Sequence, residues 1–300
     1  MPFDPSDARS ALPTLKSRVP PASRFSNADY VRFSEEAPAV DDERRRSWYA
    51  RAQNVVVEYS DVAGDLTLRR EGHPDEYMVI VPDDGLEIEA STAQETVHAA
   101  GRRLFVMPPG DSAVRVRGAG RVIRLFSSRA ADLVALASNA GSYRERHLNL
   151  APLDDWPAPV GGFRVREYDL SPPVLSKPPF RLYRCTNLMV NVFEASEGPR
   201  DTTRLSPHAH DDFEQCSLVL DGEFVHHLRW PWVTDLAAWH DDEHELCGSP
   251  SLAVIPAQVV HTSQGMSSGA NRLIDIFSPP RADFSAQEGW VRNAADYPMP

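Results

Sequence analysis

The chain reads as an all-β protein built from two copies of one barrel or sandwich, and three observations carry that reading. Its 26 prolines and 16 glycines in 300 residues interrupt it too often for a bundle of helices. Between them lie short runs rich in Val, Ile, Leu and Phe, several alternating with polar residues as a half-buried strand requires. The same texture occurs twice, once before residue 128 and once after residue 181.

In chain order, residues 1–47 are polar and proline-broken, an arm that packs on a barrel or on a partner subunit. A short helix is expected over residues 41–52, where acids and arginines precede Ser47-Trp48-Tyr49. Residues 48–128 form the first barrel, with strands expected within 54–62, 76–85, 101–110 and 113–126. Residues 129–180 connect the halves. Their Ala/Leu-rich start reads as a helix over 128–146 that ends near Gly141, and the seven prolines of 151–180 (among them Pro152, Pro157, Pro178 and Pro179) read as a surface connector. Residues 181–280 form the second barrel, with strands within 188–196, 214–230, 250–264 and 271–280, and residues 281–300 are a tail.

The duplication rests on three paired signatures. A strand ends in an acidic-Gly turn at Val81-Pro82-Asp83-Asp84-Gly85 and at Val219-Leu220-Asp221-Gly222. A strand runs into a proline loop at Val106-Met107-Pro108-Pro109-Gly110 and at Val254-Ile255-Pro256-Ala257-Gln258. Each half closes on a strand ending in Phe-Ser, Arg124-Leu125-Phe126-Ser127 and Asp275-Ile276-Phe277-Ser278. A repeat this long means two copies of a domain rather than a solenoid of small units.

Composition narrows the function. With 43 acidic and 31 basic residues the net charge is −12, which argues against holding nucleic acid by its phosphates. No apolar run approaches the roughly 18 residues of a membrane span. The first residues carry acids and prolines where a secretory signal carries a basic patch and an apolar stretch. Cys185, Cys216 and Cys247 are too few and too scattered for a disulfide framework or a CxxC zinc knuckle. The expectation is a cytoplasmic protein, a homodimer with a small-molecule substrate and neither nucleic acid nor membrane as partner.

The chemistry lies in the second half. In Ser206-Pro207-His208-Ala209-His210 two histidines stand at i and i+2, which on a strand sets both on one face, about 7 Å apart at the backbone. Two imidazoles side by side can share a metal ion. Gln215 follows five residues on, and a later strand supplies His261.

This pattern resembles the cupin family, whose first motif is HxH, three or four residues, Glu or sometimes Gln, six residues and Gly. His208 and His210 supply the pair, residues 211–214 the spacer, Gln215 the next ligand position, residues 216–221 the six that follow, and Gly222 the end. The second motif, Pro, any residue, Gly, two residues and His, is matched at Pro256 and His261, with Gln258 where the family has Gly. The resemblance covers about residues 181–280 and, more weakly, 50–128. It implies two jelly-roll cupin barrels and one divalent ion, Fe, Mn, Ni, Co or Zn, held by His208, His210, Gln215 and His261. Small cupins that handle pectin-derived unsaturated uronates look similar, with HxH, four residues, then Gln.

Two residues compete for the third place in chain order. Glu214 is a carboxylate, but Gln215 is the one that leaves six residues before Gly222. Adjacent strand residues point to opposite faces, so the choice is exclusive. Gln215 fits the frame better, and Glu214 stays the alternative. A set of neutral imidazoles and an amide leaves the +2 charge of the ion uncompensated, which favours Lewis-acid chemistry on an anionic or hydroxyl-rich substrate.

Further candidates surround these residues. His226 and His227 follow Gly222, and alternation sends one inward, as a general acid or base or as a hydrogen-bonded wall residue. Arg229 shares the face of His227 and either holds a substrate carboxylate or forms a surface ion pair. Trp230-Pro231-Trp232 is a pocket rim or an oligomer contact. His240 to His244 resembles a metal cluster, yet its acidic surroundings read better as a solvated loop.

The first half has only His73 near the HxH position, and Ala113 where its late histidine would stand. It should be a structural barrel. The expected function is a metal-dependent bicupin enzyme of isomerase or lyase type on a small carboxylated or polyhydroxy substrate. The alternatives are an Fe(II) cupin dioxygenase and a non-catalytic binding cupin.

Overall fold

Strand alternation divides the inward and outward residues of each half, and the paired signatures fall at matching places. Residues 8–12, 22–174 and 180–300 are described by a computed structural model; Pro178 and Pro179 lie outside them. In the first half Tyr77–Val81 pairs antiparallel with Arg103–Met107 and with Gly110–Ser127. In the second, Gln215–Asp221 pairs in the same way with Ser251–Ile255 and Ala270–Phe277. The long strands Val55–His73 and Gly110–Ser127 run through both layers of the first barrel, and Leu86–Ser91 and Thr96–Ala100 extend its second layer. The second barrel closes with a separate sheet of Glu243–Gly248, Glu223–Arg229 and Val260–Gly265. The architecture is the expected one, all-β with two barrels and only short helices.

The halves also exchange edge strands. Asp29–Arg32, from the N-terminal arm, pairs with Ser251–Ile255 of the second half. Arg166–Asp169, from the connector, pairs with Arg103–Met107 of the first. Proline-rich residues 151–180 therefore do more than cross the surface.

Alternate residues face two different cores. Met78, Ile80, Leu104, Val106, Ile123 and Leu125 join Cys216, Leu218, Leu252, Val254, Ile274 and Ile276 in one buried cluster between the barrels. Each such side chain contributes roughly 1.5–3 kcal/mol by leaving water. Their sequence neighbours Tyr77, Val79, Val81, Phe105, Met107 and Phe126 fill the first barrel with apolar and aromatic groups. The second barrel instead turns polar Gln215, Ser217, His226, His261 and Asp275 inward, all but Asp275 less than a tenth exposed.

Ion pairs at equivalent positions lock the two acidic-Gly turns together. Arg121 donates to Asp83 through Nε and Nη2, both 2.6 Å, and to Asp221 through Nη1 at 2.9 Å. Arg272 donates to Asp221 through Nε at 2.6 Å and to Asp83 through Nη2 at 2.7 Å. Even the backbone contacts match, since Arg121 reaches the Leu220 carbonyl and Arg272 the Pro82 carbonyl.

Two helix expectations are corrected. Residues 41–52 are a hairpin of Val40–Asp42 and Arg45–Arg51 rather than a helix. Pairing of Trp48 with Tyr59 and of Ser47 with Ser60 in the neighbouring strand overrides the helix propensity of the charged run. Residues 128–146 hold only the short helix Ala131–Val134 and the 3₁₀ turn Ala140–Tyr143. Ser138 N donates to the Tyr49 carbonyl, and the Asn139 side chain bonds both the amide and the carbonyl of Arg51, so the chain is drawn onto the sheet instead of continuing its helix.

Candidate metal centre

His208 lies just outside regular strand, in an isolated bridge with His261, where each backbone N–H donates to the other's carbonyl. This bridge brings together histidines from the two ends of the motif. Ligand atoms of His208, His210 and His261 lie within 4.8 Å of one another, and all three residues are buried. Among the described residues no other group of three His, Cys, Asp or Glu gathers in this way. The ring centroids of the HxH pair lie 4.9 Å apart.

The rings are oriented by their neighbours. His208 Nδ1 meets the Ser206 carbonyl and His261 Nδ1 the Val259 carbonyl, both at 2.9 Å. A proton fixed on Nδ1 leaves the Nε2 lone pair of each ring for a ligand. Burial pushes all three imidazoles down, His261 to about 4 and the other two well below the usual range. They are neutral at pH 7, the form that binds metal.

Gln215 projects its amide into the same space. Its Oε1 lies 2.8 Å from His210 Nε2 and 3.4 Å from His261 Nε2. Its Nε2 donates to Ser217 Oγ at 3.0 Å and to Asp275 Oδ1 at 3.1 Å. A carboxylate only accepts, so Asp275 settles which end of the amide faces the histidines. Glu214 turns to the opposite face, where its Oε2 accepts from the Gln53 amide at 2.8 Å and its Oε1 lies 3.8 Å from His147 Nδ1.

The glycine position that departs from the family keeps the turn. Gln258 takes a left-handed φ of 66°, which costs a non-glycine residue about 1–2 kcal/mol. Hydrogen bonds hold it there: its N–H donates to the His210 carbonyl at 2.6 Å, its Nε2 donates to the Asp211 carbonyl, and its Oε1 accepts from Ala22 N–H. Gly222 ends the motif at φ 80°, and a Cβ there would sit 2.5 Å from the Ala270 carbonyl oxygen.

His226 is the inward member of its pair, fully buried on the strand beside His261. Its Nδ1 bonds Ser263 Oγ at 2.9 Å, while its Nε2 is buried without a hydrogen-bond partner. Burial, reinforced by His261, lowers its pKa to about 3, so it stays neutral at pH 7 and is a weak base there. The structure does not bring His227 and Arg229 to the triad, because alternation places them on the barrel's outer face. His227 Nδ1 meets His244 Nδ1 at 2.7 Å, and exposed Arg229 pairs with Asp242. Trp230 is buried against His240, while Trp232 is 76% exposed and stacks on Trp239. His240 and His244 join no metal cluster among the described residues.

Sequence reasoning missed Asp275 and Arg281. Asp275 is half-buried and accepts from Ser217 as well as Gln215, and its removal from water raises its pKa to about 6. A charged residue at an inward position of the closing strand was the signal for it. Arg281 is buried beside the site, its guanidinium over Phe284 and paired with Asp283.

The matching space in the first barrel is filled. His73 packs edge-on against Tyr77 and Phe126, and Arg70 bonds its Nδ1 at 3.2 Å. Burial, then the charge of Arg70, lowers the His73 pKa to about 4. Replacing His73 with alanine should leave metal content per chain unchanged, measured by elemental analysis. A second metal lost with His73 would place a centre in the first barrel.

No protein-family model matches the chain, and no curated protein does. Solved structures are similar. AerE from Microcystis aeruginosa aligns with a TM-score of 0.52 at 11% identity, over 86% of this chain and 100% of that one. An oxalate decarboxylase from Bacillus subtilis gives 0.55 at 10% identity, over 87% and 80%. The formate complex of the Lactobacillus farciminis oxalate decarboxylase gives 0.51 at 10% identity, over 88% and 90%. At such identities the likeness establishes the fold alone. No helix among the described residues is long and apolar enough to cross a membrane.

Proposed function

We propose that this chain, a bicupin in fold, is a metal-dependent enzyme acting on a small carboxylated or polyhydroxy molecule at one mononuclear centre in its second barrel. The observation that carries this reading is the convergence of the buried side chains of His208, His210 and His261. Gathering neutral imidazoles there costs hydration that a shared cation offsets. Gln215 supplies a neutral oxygen as the fourth ligand. A divalent ion so held polarises a substrate oxygen and acidifies bound water.

The residues around the ligands have distinct tasks. Ser217 and Asp275 fix the Gln215 amide, and Asp275 adds a carboxylate next to an otherwise neutral ligand set. His226 keeps a neutral imidazole on the inner wall, with Nε2 left to hydrogen-bond a ligand. This arrangement favours isomerase or lyase chemistry. Oxalate decarboxylation, the activity in the names of two structural neighbours, is a lyase reaction on a small dicarboxylate and belongs to that class.

The test is elemental analysis of the purified protein, followed by a turnover panel of uronates and small carboxylates, oxalate included, in air and under argon. Turnover under argon supports the reading. Strict dependence on air would replace it with Fe(II) dioxygenase chemistry, and no turnover with any of the five metals would leave a binding cupin. The ligand register has its own check. Gln215→Ala should weaken metal binding about tenfold or more, whereas Glu214→Ala should leave metal per folded chain at the parent's level. The reverse pattern would make Glu214 the ligand.

A further inference from the structure

His226 is an inner-wall residue whose hydrogen bonding is incomplete. It is fully buried, its Nδ1 meets Ser263 Oγ at 2.9 Å, and its Nε2 has no hydrogen-bond partner from the protein. Keeping such a nitrogen out of water and unbonded is costly, and a bound partner removes that cost. Ser251 Oγ is a second buried atom of this kind. Pairing of Ile255 with Gln215, Ala253 with Ser217 and Ser251 with Val219 sets Ser251 on the same inner face as the Gln215 amide.

Strand register places His226 relative to the triad. Leu228 pairs with His261 and His226 with Ser263, so His226 stands two residues further along, roughly 7 Å down the strand from the level of His261. Tyr30, paired with Ala253, adds its ring to the wall 6.4 Å from that of His226. Glu245 lies opposite His226 on the neighbouring strand and is paired with Arg32. These two charges answer each other, so the place suits a neutral polar group better than a second carboxylate. Ser263 can accept from Nδ1, which leaves Nε2 an acceptor, or donate to it, which leaves Nε2 a donor. A hydroxyl satisfies either tautomer.

We propose that His226 is a specificity-determining residue that hydrogen-bonds a hydroxyl of the substrate, set well beyond the group held at the triad. The proposal rests on the metal reading above and narrows its substrate to a hydroxy acid. The chain must be longer than that of oxalate, whose two carboxyl groups share one bond and cannot span the gap.

The test uses 4-hydroxybutanoate and pentanoate, which share a carboxylate and a chain length and differ by a hydroxyl in place of a methyl. Each is titrated by calorimetry into the metal-loaded parent, His226→Phe and His226→Gln, with metal per chain measured in parallel. The parent should bind 4-hydroxybutanoate about tenfold or more tightly than pentanoate. His226→Phe should lose that preference, His226→Gln should recover part of it, and metal per chain should stay at the parent's level in both. A parent without the preference would overturn the proposal, as would a His226→Phe protein that keeps it. Loss of metal from His226→Phe would overturn it too, by making His226 a ligand. A parent that takes up no metal would instead overturn the metal reading, and the same comparison of the metal-free proteins would then decide the role of His226.

Discussion

Replacing His261 with alanine is expected to strip the second barrel of its metal, with affinity falling more than about 100-fold, beyond what loss of a supporting residue costs. Two features make this the sharpest outcome. His261 is one corner of a nearly equilateral triangle, its ring 4.4 Å from that of His208 and 5.0 Å from that of His210, so its loss leaves only two imidazoles facing the centre. The fold should survive, because the bridge to His208 is made by main-chain groups that alanine keeps. His208→Ala and His210→Ala should act in the same direction. The measurement is metal per chain by elemental analysis, with circular dichroism to confirm the barrel. His227→Ala is the control, since the same strand alternation that buries His226 sends His227 outward to His244. Full occupancy in the His261→Ala protein would remove the metal assignment.

What could be read in the sequence was periodic or spaced. Alternation of period two puts Gln215 and Glu214 on opposite faces, and the frame ending at Gly222 favours Gln215 for the inner one. The same rule could not say which of His226 and His227 faces inward. That depends on the pairing of Leu228 with His261, a contact between segments about thirty residues apart. The helix expected over 41–52 failed for a related reason. Glu43 to Arg46 are good helix formers locally, but Trp48 and Tyr49 gain more by pairing with the strand that follows. Arg281 and Asp275 carry no motif. They belong to the site only because the tail and the closing strand converge on it, and no local spacing encodes that convergence. Gln258 shows the opposite case, a motif position that lost its glycine while hydrogen bonds preserved the left-handed turn.

Removing Arg124 should destabilise the protein by about 3–5 kcal/mol, the usual cost of leaving one member of a buried ion pair behind. Arg124 holds in the first barrel the inward position that Asp275 holds in the second. Its Nε and Nη2 bind Glu58 Oε2 at 2.8 and 2.6 Å, and neither residue is more than 4% exposed. Ser60 donates to the other carboxylate oxygen at 3.1 Å, and the guanidinium lies 5.3 Å over Phe126. Where the second barrel gathers three imidazoles, the first thus encloses a matched charge pair beside aromatic rings. Arg124→Leu leaves the Glu58 carboxylate buried and uncompensated. The double variant Glu58→Leu/Arg124→Leu removes both charges and should recover most of the loss, since apolar packing often replaces a buried pair without penalty. Urea unfolding midpoints of the two single variants, the double variant and the parent measure this coupling. A single variant as stable as the parent would mean that water reaches Glu58. The first barrel would then be open enough to hold a ligand, against its reading as a filled structural copy.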